Sequence, residues 1–126
     1  MHEIKYQAYV KHLKWIAPVI AIYFKSKKVE VDFTGNGDIA EYSFDEVELI
    51  AYTNFKDVKG AEVKEGDIVK VRWSKDTDKG IVKWFSYGFY VMEMEKHSPI
   101  PLSNMSVRVE VIGNIYENPE LLPNKE

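Results

Sequence analysis

The chain has 126 residues, a formal net charge of −3, a sequence pI near 5.7 and no cysteine. This length suits one domain, or one small domain with an extension. The absence of cysteine excludes a disulfide framework, a thiolate metal site and a thiol nucleophile, and it fits a reducing cytoplasm. The slightly acidic balance argues against non-specific binding of nucleic acid.

The charges are unevenly distributed along the chain. Residues 1–28 carry six lysines and one glutamate, whereas residues 29–67 carry three lysines and eleven acidic residues. Such asymmetry either steers a partner or pairs strands within one sheet. We favour the second interpretation, because opposite charges on neighbouring strands support their pairing.

The first fifty residues predict an extension of β-strands. Residues 3–10 alternate between apolar and polar side chains, and residues 29–33 repeat the pattern before a Gly-rich hairpin turn at 34–38. Between them, the apolar run Trp15–Phe24 has about half the length that a membrane span needs, and Pro18 interrupts it. We therefore predict no membrane insertion and a buried strand, with Pro18 at an edge or a bulge. The run is also long for an edge strand, and an exposed edge of that kind would favour self-association.

The stretch after residue 50 predicts an antiparallel meander that carries most of the aromatic residues. Residues 68–73 alternate between apolar and basic side chains, a period of two that buries one face. A polar loop at 76–80 leads into a second strand that contains Trp84, and residues 89–94 form a third. We expect Trp73 and Trp84 to face the core. Three short strands with tight turns cannot bury both faces alone, so they predict closure into a small, strongly bent barrel of the SH3 type.

The end of the chain predicts closure and a tail. Residues 96–106 contain two prolines and are predicted to be the longest loop, and residues 107–111 alternate as a final strand. Asn118–Glu120 has the order of a helix start, with Asn as the cap and Pro at the first helical position. We predict that Tyr116 docks on the barrel and fixes this turn.

Two regions make up the predicted organisation. The predicted fold is all-β, with N-terminal strands followed by a small SH3-type β-barrel and a short C-terminal helical turn. Residues 1–50 form the strand extension, packed on the barrel, and residues 51–126 form the SH3-like barrel with its C-terminal tail. The boundary falls in a strand predicted at residues 47–52, which follows a brief helical turn or loop at residues 44–48.

No catalytic or metal-binding constellation stands out. The three histidines lack metal-ligand spacing to one another: His2, His12 and His97. Asp76 and Asp78 have the spacing of a calcium loop, but residues 79–80 do not supply the oxygen donors that should follow. Glu93 and Glu95 share one face of a strand, which suits a solvated face as well as a catalytic pair. We therefore predict a protein that is not an enzyme, without a metal or a cofactor.

Aromatic residues interleaved with basic residues form a candidate interaction surface: Lys70, Arg72, Lys83, Phe85, Tyr87 and Tyr90. Small β-barrels hold single-stranded nucleic acid with aromatic platforms beside cations. In the alternative interpretation, the tryptophans face the core and the lysines face water. Alternation favours this alternative, because the adjacent Lys83 and Trp84 must point to opposite faces.

Three stretches, in order, resemble the YopX family of small proteins from bacterial phages and prophages. Residues 2–9 (His-Glu-Ile-Lys-Tyr-Gln-Ala-Tyr) are similar to the opening Arg-Glu-Ile-Lys-Phe-Arg-Ala-Trp of the family. Tyr52–Val69 is similar to its central pattern, Tyr-Thr-Gly-Leu-Lys-Asp-Lys-Asn-Gly-Lys-Glu-Ile-Tyr-Glu-Gly-Asp-Ile-Val, and Val111–Leu122 matches its closing pattern without change. The chain departs from the family at Asn54, which replaces a glycine, and at Lys64, which replaces an aromatic residue.

The resemblance implies a β-rich fold whose C-terminal part is an SH3-type barrel, and it implies no activity. We therefore expect a non-enzymatic phage or prophage accessory protein that acts in the host bacterial cytoplasm through contacts with a protein partner. The alternative is a small β-barrel that binds nucleic acid through the candidate interaction surface. The sequence also leaves open self-association into a homo-oligomer.

Overall fold

The computed structural model describes residues 5–73, 76–85, 88–94, 99–104 and 107–123, nearly all of them in strands. The strands are β1 (Tyr6–Val10), β2 (Trp15–Tyr23), β3 (Lys28–Asp32), β4 (Ile39–Ser43), β5 (Val47–Lys56), β6 (Glu62–Lys64), β7 (Asp67–Trp73), β8 (Asp76–Phe85), β9 (Gly88–Glu93), β10 (Pro99–Pro101) and β11 (Val107–Asn114). Two short 3-10 helices span Phe44–Glu46 and Pro119–Leu121. The prediction of an all-β protein is confirmed.

The strands form two antiparallel sheets. One sheet has the order β4-β3-β2-β1-β5-β6 and the other has the order β10-β9-β8-β7-β11. Each sheet ends in two edge strands, so the described strands close neither sheet into a barrel. The predicted SH3-type barrel is therefore not confirmed. The chain divides into two compact units, Met1–Ala51 and Tyr52–Glu126. That the first region packs on the second stays a prediction.

The core of the first unit forms on one face of its strands. Ala8 and Val10 on β1, and Val29 and Val31 on β3, are fully buried, as the alternation predicted. The 3-10 helix at Phe44–Glu46 then leads into β5. Ser43 precedes this helix, and both its backbone N–H and its hydroxyl donate hydrogen bonds to the Glu46 carboxylate at the other end. The sequence had predicted a short helical turn or a loop at this place.

The apolar run forms the strand β2, as predicted, but the prediction that this strand is buried is wrong, because Trp15 and Ile20 are 57% and 49% exposed. Residues 15–18 pair with β1 and residues 19–23 pair with β3. The register shifts between Val19 and Ala21, so the irregularity lies at Ile20, two residues beyond the Pro18 at which a bulge was predicted. β1 and β3 pair with different halves of β2, so each half has a described strand partner on one side only, and self-association stays a prediction.

The core of the second unit contains valines from five strands: Val63 of β6, Val69 and Val71 of β7, Val82 of β8, Val91 of β9 and Val109 of β11. Part of the predicted loop at residues 96–106 is wrong, because Pro99–Pro101 forms β10 and pairs with β9. The two prolines lie on the edge strand of the sheet, where a missing N–H breaks no ladder bond. Ile100 between them is buried in the core.

The C-terminal tail packs on the turn that precedes β7. Gly66 in this turn has φ of +87°, and a Cβ at Gly66 would lie 3.0 Å from Cε2 of Tyr116. The backbone N–H of Ile115 donates to the carbonyl of Gly66 at 2.9 Å. Asn114 and Asn118 then fold the tail on itself, because the Asn118 side-chain oxygen accepts from the Asn114 N–H. Tyr116 therefore packs on the second unit, whereas the barrel on which it was predicted to dock is not confirmed.

Candidate interaction surface

Strand register places five of the six predicted surface residues on one face of the second sheet: Lys70, Arg72, Lys83, Phe85 and Tyr90. Lys70 and Arg72 alternate with the buried valines of β7, so they point away from the core. Lys83 lies directly opposite Tyr90, and the rings of Phe85 and Tyr90 meet edge to face with centroids 6.0 Å apart. Tyr87 lies outside the described residues.

This outer face has two separate ends. The basic end comprises Lys70, Arg72, Lys79 and Arg108, and the aromatic end comprises Lys83, Phe85 and Tyr90. Lys79 and Phe85 are six residues apart on β8, which at the rise of an extended strand is roughly 20 Å. Ile68 lies opposite Ile81 on the same face between the two ends, and it is fully buried. Solvent therefore does not reach the outer face at Ile68, between its basic and aromatic ends.

Trp84 is not a core residue, contrary to the prediction. It shares the face of Val82, but its side chain is 56% exposed. Its ring packs edge to face on Phe89, the residue directly opposite, with centroids 4.9 Å apart. The pair lies at the end of the β8–β9 hairpin, beyond the last buried valines, where alternation still assigns a face but no second layer covers it. The side chain of Trp73 lies outside the described part.

The basic end brings together cations from three strands. Arg72 lies directly opposite Arg108 of β11, and Lys70 lies directly opposite Lys79 of β8. Glu110, on the other side of Lys70, forms an ion pair with Lys59 at 3.1 Å. Sequence reasoning missed Arg108. Its alternation with neighbouring valines gives its face, but no local signal gives its partner strand.

Two grooves flank the basic end. The first has a volume of about 230 Å³ and is lined by Val58, Lys70, Arg72, Arg108, Val109 and Glu110. The second has a volume of about 510 Å³ and lies between the sheet and the tail. Lys70 and Lys79 line it on the sheet side, and Leu121 and Pro123 line it on the tail side. The tail therefore forms one wall of a groove on the outer face.

Asp57 fixes the loop beside the first groove. Its carboxylate accepts backbone N–H groups from Lys59 at 2.9 Å, Ala61 at 2.8 Å and Val111 at 2.9 Å. Burial alone would raise the pKa of Asp57, but these three donors and the Lys59 charge together lower it. The N–H of Val58 also donates to the carbonyl of Val109 at 3.0 Å. The loop thus occupies backbone groups on the outer edge of β11.

Asp67, the first residue of β7, has a strongly raised pKa. Burial raises the pKa of its carboxyl to about 6, against a hydrogen bond from the Lys64 N–H at 2.7 Å and the Lys64 charge. A carboxyl of this kind is a candidate acid–base group when it lies in a cleft. Asp67 lines neither groove at the basic end, and its hydrogen bond closes the turn before β7. Its role is structural.

Of the remaining sequence candidates, Asp78 and Glu93 lie in diagonal positions on the inner face of the second sheet, and His12 lies in the first unit. Within the described ranges, no three His, Asp or Glu side chains are grouped as metal ligands would be. His12 packs its ring against Tyr42. His2, His97, Glu95 and the side chain of Asp76 lie outside the described part, so Glu93 and Asp78 are the described members of the two carboxylate pairs. Among the residues that the structure covers, no helix is long and apolar enough to cross a membrane.

These observations define a class of protein: all-β, with two open antiparallel sheets and a docked C-terminal tail. The chain belongs to the YopX protein family, whose model matches residues 5–123. A crystal structure of protein EF1440 from Enterococcus faecalis is similar, with a TM-score of 0.69 and 21% sequence identity over 98% of this chain and 100% of that chain. At this identity the likeness supports the fold alone. Among curated proteins, none matches the chain.

Proposed function

We propose that this protein is a non-enzymatic protein-interaction module that binds its partner through the end of the β8–β9 hairpin. One observation carries the proposal: Trp84 and Phe85 are 56% and 53% exposed at the same hairpin end. As consecutive residues of a strand, they present aromatic rings on both faces of the hairpin. Exposed aromatic side chains are the commonest anchors of protein interfaces.

A comparison of three chains tests this proposal. The wild-type chain, a Phe85→Ala variant and a Phe24→Ala variant are used to capture proteins from a bacterial host lysate treated with nuclease. Phe24 is 75% exposed in the first unit, so it is a matched control for the loss of an exposed ring. We expect a discrete protein retained by the wild type and by Phe24→Ala and lost with Phe85→Ala. Equal retention by all three chains would refute the hairpin as the contact.

A second function has an observation in its favour. Lys83, Phe85 and Tyr90 lie together on one face, which is the combination that holds single-stranded nucleic acid. This alternative predicts a gel shift with single-stranded oligonucleotides at physiological salt. It also predicts a steep loss of affinity as salt rises, because phosphate contacts release counterions. We expect no such shift, and one that is lost in Lys83→Gln would establish the alternative.

Three finer assignments belong to the same proposal. We propose that the consecutive antiparallel strands β7, β8 and β9 are the meander of an SH3-type fold, which their order in the sheet supports. Membership in the YopX family supports an origin in a phage or prophage. The absence of cysteine supports action in the reducing cytoplasm of the host.

A further inference from the structure

We propose that the basic end of the outer face binds an acidic, extended segment of a partner protein, laid over the Arg72–Arg108 pair. The inference rests on the proposed function, because it assigns a chemistry to the partner of the same protein-binding module. It uses a different surface, about 20 Å or more along the sheet from the aromatic end.

The first support is electrostatic. Arg72 is directly opposed to Arg108, and Lys70 to Lys79. Directly opposed side chains have Cβ atoms about 5 Å apart, where like charges destabilise a sheet. Glu110 is the neighbouring carboxylate, and Lys59 already binds it at 3.1 Å. Of the ion pairs formed among the described residues, none includes Arg72 or Arg108. A bound anion would relieve both repulsive pairs.

The second support is the shape of the groove. A further groove of about 240 Å³ shares Val58, Arg108 and Val109 with the groove over the arginines. Its other lining residues are Phe55, Lys56, Asp57 and Leu102. The two grooves adjoin at Arg108, and the second places the apolar side chains of Phe55 and Leu102 beside Lys56 and Asp57. An extended peptide that carries carboxylates, followed by an apolar side chain, suits the two arginines and the apolar pair of Phe55 and Leu102. The Asp57 carboxylate is already held by three backbone N–H groups.

Charge and geometry favour a peptide over a nucleic acid. Guanidinium groups pair with carboxylates through two parallel hydrogen bonds, so two opposed arginines suit closely spaced acidic residues. A long polyanion would meet the net negative charge of the whole chain, whereas a short acidic segment needs complementarity only at the groove. Phe85 is eight residues along β8 from Thr77, the residue opposite Arg72, which is too far for one nucleotide to stack and to contact Arg72.

Fluorescence anisotropy of the full chain with a labelled peptide of glutamates ending in leucine tests the inference. We expect saturable binding at about 0.15 M salt. Arg72→Gln and Arg108→Gln should each weaken it by about tenfold or more, which is about 1.4 kcal/mol. Lys25→Gln, which removes one exposed cation of the first unit, is the matched control and should leave binding unchanged.

A second measurement reports on the repulsion itself. Arg108→Glu places an acid opposite Arg72, so it should abolish peptide binding and raise the midpoint of thermal unfolding. A lowered midpoint for Arg108→Glu, with unchanged binding in Arg108→Gln, would overturn the inference. So would equal weakening by Lys25→Gln, the absence of peptide binding, or tighter binding of an oligothymidylate of equal charge. None of these outcomes alters the capture experiment with Phe85→Ala, so the two proposals fail separately.

Discussion

At the scale of single residues, the surroundings lower the pKa of Asp57 and raise the pKa of Asp67. Asp57 is held charged by three backbone donors, which stabilise its ionised form. Asp67 is held in a buried turn with fewer donors, so its charged form is disfavoured. The same residue type therefore anchors a loop at one position and introduces a pH dependence at the other.

Asp57→Ala should destabilise the fold by about 3 kcal/mol, because three N–H groups lose their charged acceptor. Urea denaturation at neutral pH measures this loss. Asp57→Asn keeps one carbonyl oxygen and should lose less. Asp45→Ala, at an exposed acid, is the control and should change stability by about 0.5 kcal/mol or less. A loss for Asp57→Ala no larger than the control would show that the loop is not anchored by this carboxylate.

The raised pKa of Asp67 predicts a pH dependence with a defined sign. An acid whose folded pKa exceeds its unfolded value of about 4 contributes most stability below that value, and the contribution is lost as pH rises through about 6. The wild type should therefore gain about 1 kcal/mol from this group between about pH 7.5 and pH 5. Asp67→Asn should lack this gain and should be more stable than the wild type at neutral pH.

Denaturation of both chains at the two pH values measures the difference. Asp57 does not obscure it, because its lowered pKa keeps its contribution intact above about pH 4. Parallel pH profiles for the wild type and Asp67→Asn would mean that Asp67 has an ordinary pKa.

At the scale of elements, the docked tail and the projecting hairpin are the two features that surround the outer face. The tail is tied to the turn before β7 through Gly66, Ile115 and Tyr116. The hairpin extends past the core and has an exposed aromatic residue on each face. One element therefore contributes to stability, and the other is free to serve recognition.

Two glycines separate backbone strain from tail docking. Gly60 and Gly66 both have positive φ, but a Cβ at Gly60 meets nothing within 4 Å, whereas one at Gly66 meets Tyr116 at 3.0 Å. Gly60→Ala should destabilise by about 1 kcal/mol through strain alone, and Gly66→Ala should destabilise by more. In a Tyr116→Ala background, the two glycine substitutions should become similar. Thermal denaturation of the six chains measures the coupling, and an unchanged difference would show that the ring does not rest on Gly66.

Two side chains on the same face of β8 give a paired prediction for the hairpin. Val82→Ala removes methyl groups from a fully buried side chain and should destabilise the fold by about 2 kcal/mol. Trp84→Ala removes a far larger side chain that is mostly exposed, and it should destabilise by about 1 kcal/mol or less. Chemical denaturation of both variants checks the order. A larger loss of stability for Trp84→Ala than for Val82→Ala would show that the tryptophan is part of the core.

The sequence predicts strands and their faces well, and register poorly. Alternation identified the outward Lys70 and the inward Val82, because the period of two can be recognised within a single strand without knowing its neighbours. It could not place Arg108 beside Arg72, because register depends on which strands pair and where a bulge falls. It also failed for Trp84, because whether a face is covered depends on the length of the hairpin relative to the core.

At the scale of the whole molecule, part of the uneven charge along the chain is neutralised by ion pairs within the first unit. Lys11 pairs with Glu48 at 3.6 Å and Lys28 pairs with Glu41 at 3.2 Å, so basic residues of the first 28 meet acidic residues of the next segment. This agrees with the interpretation that opposite charges pair strands within a sheet. These side chains are about half exposed.

Such exposed pairs should add little stability. A double-mutant cycle with Lys28→Gln and Glu41→Gln should give a coupling of about 0.5 kcal/mol or less, and about 1 M sodium chloride should remove most of it. Urea denaturation of the four chains measures the coupling. A coupling above about 1 kcal/mol that persists in salt would mean that charge patterning is a main determinant of the fold.

The two outer strands of the second sheet also determine how this molecule can be recognised. β10 has prolines at both of its ends, and the Asp57 loop occupies backbone groups of β11. Neither margin offers a continuous ladder to which a foreign strand can be added. A partner that bound this sheet would therefore be recognised through side chains. Side chains on the hairpin and on the outer face can be exchanged singly, so a new target can be acquired while the scaffold stays the same.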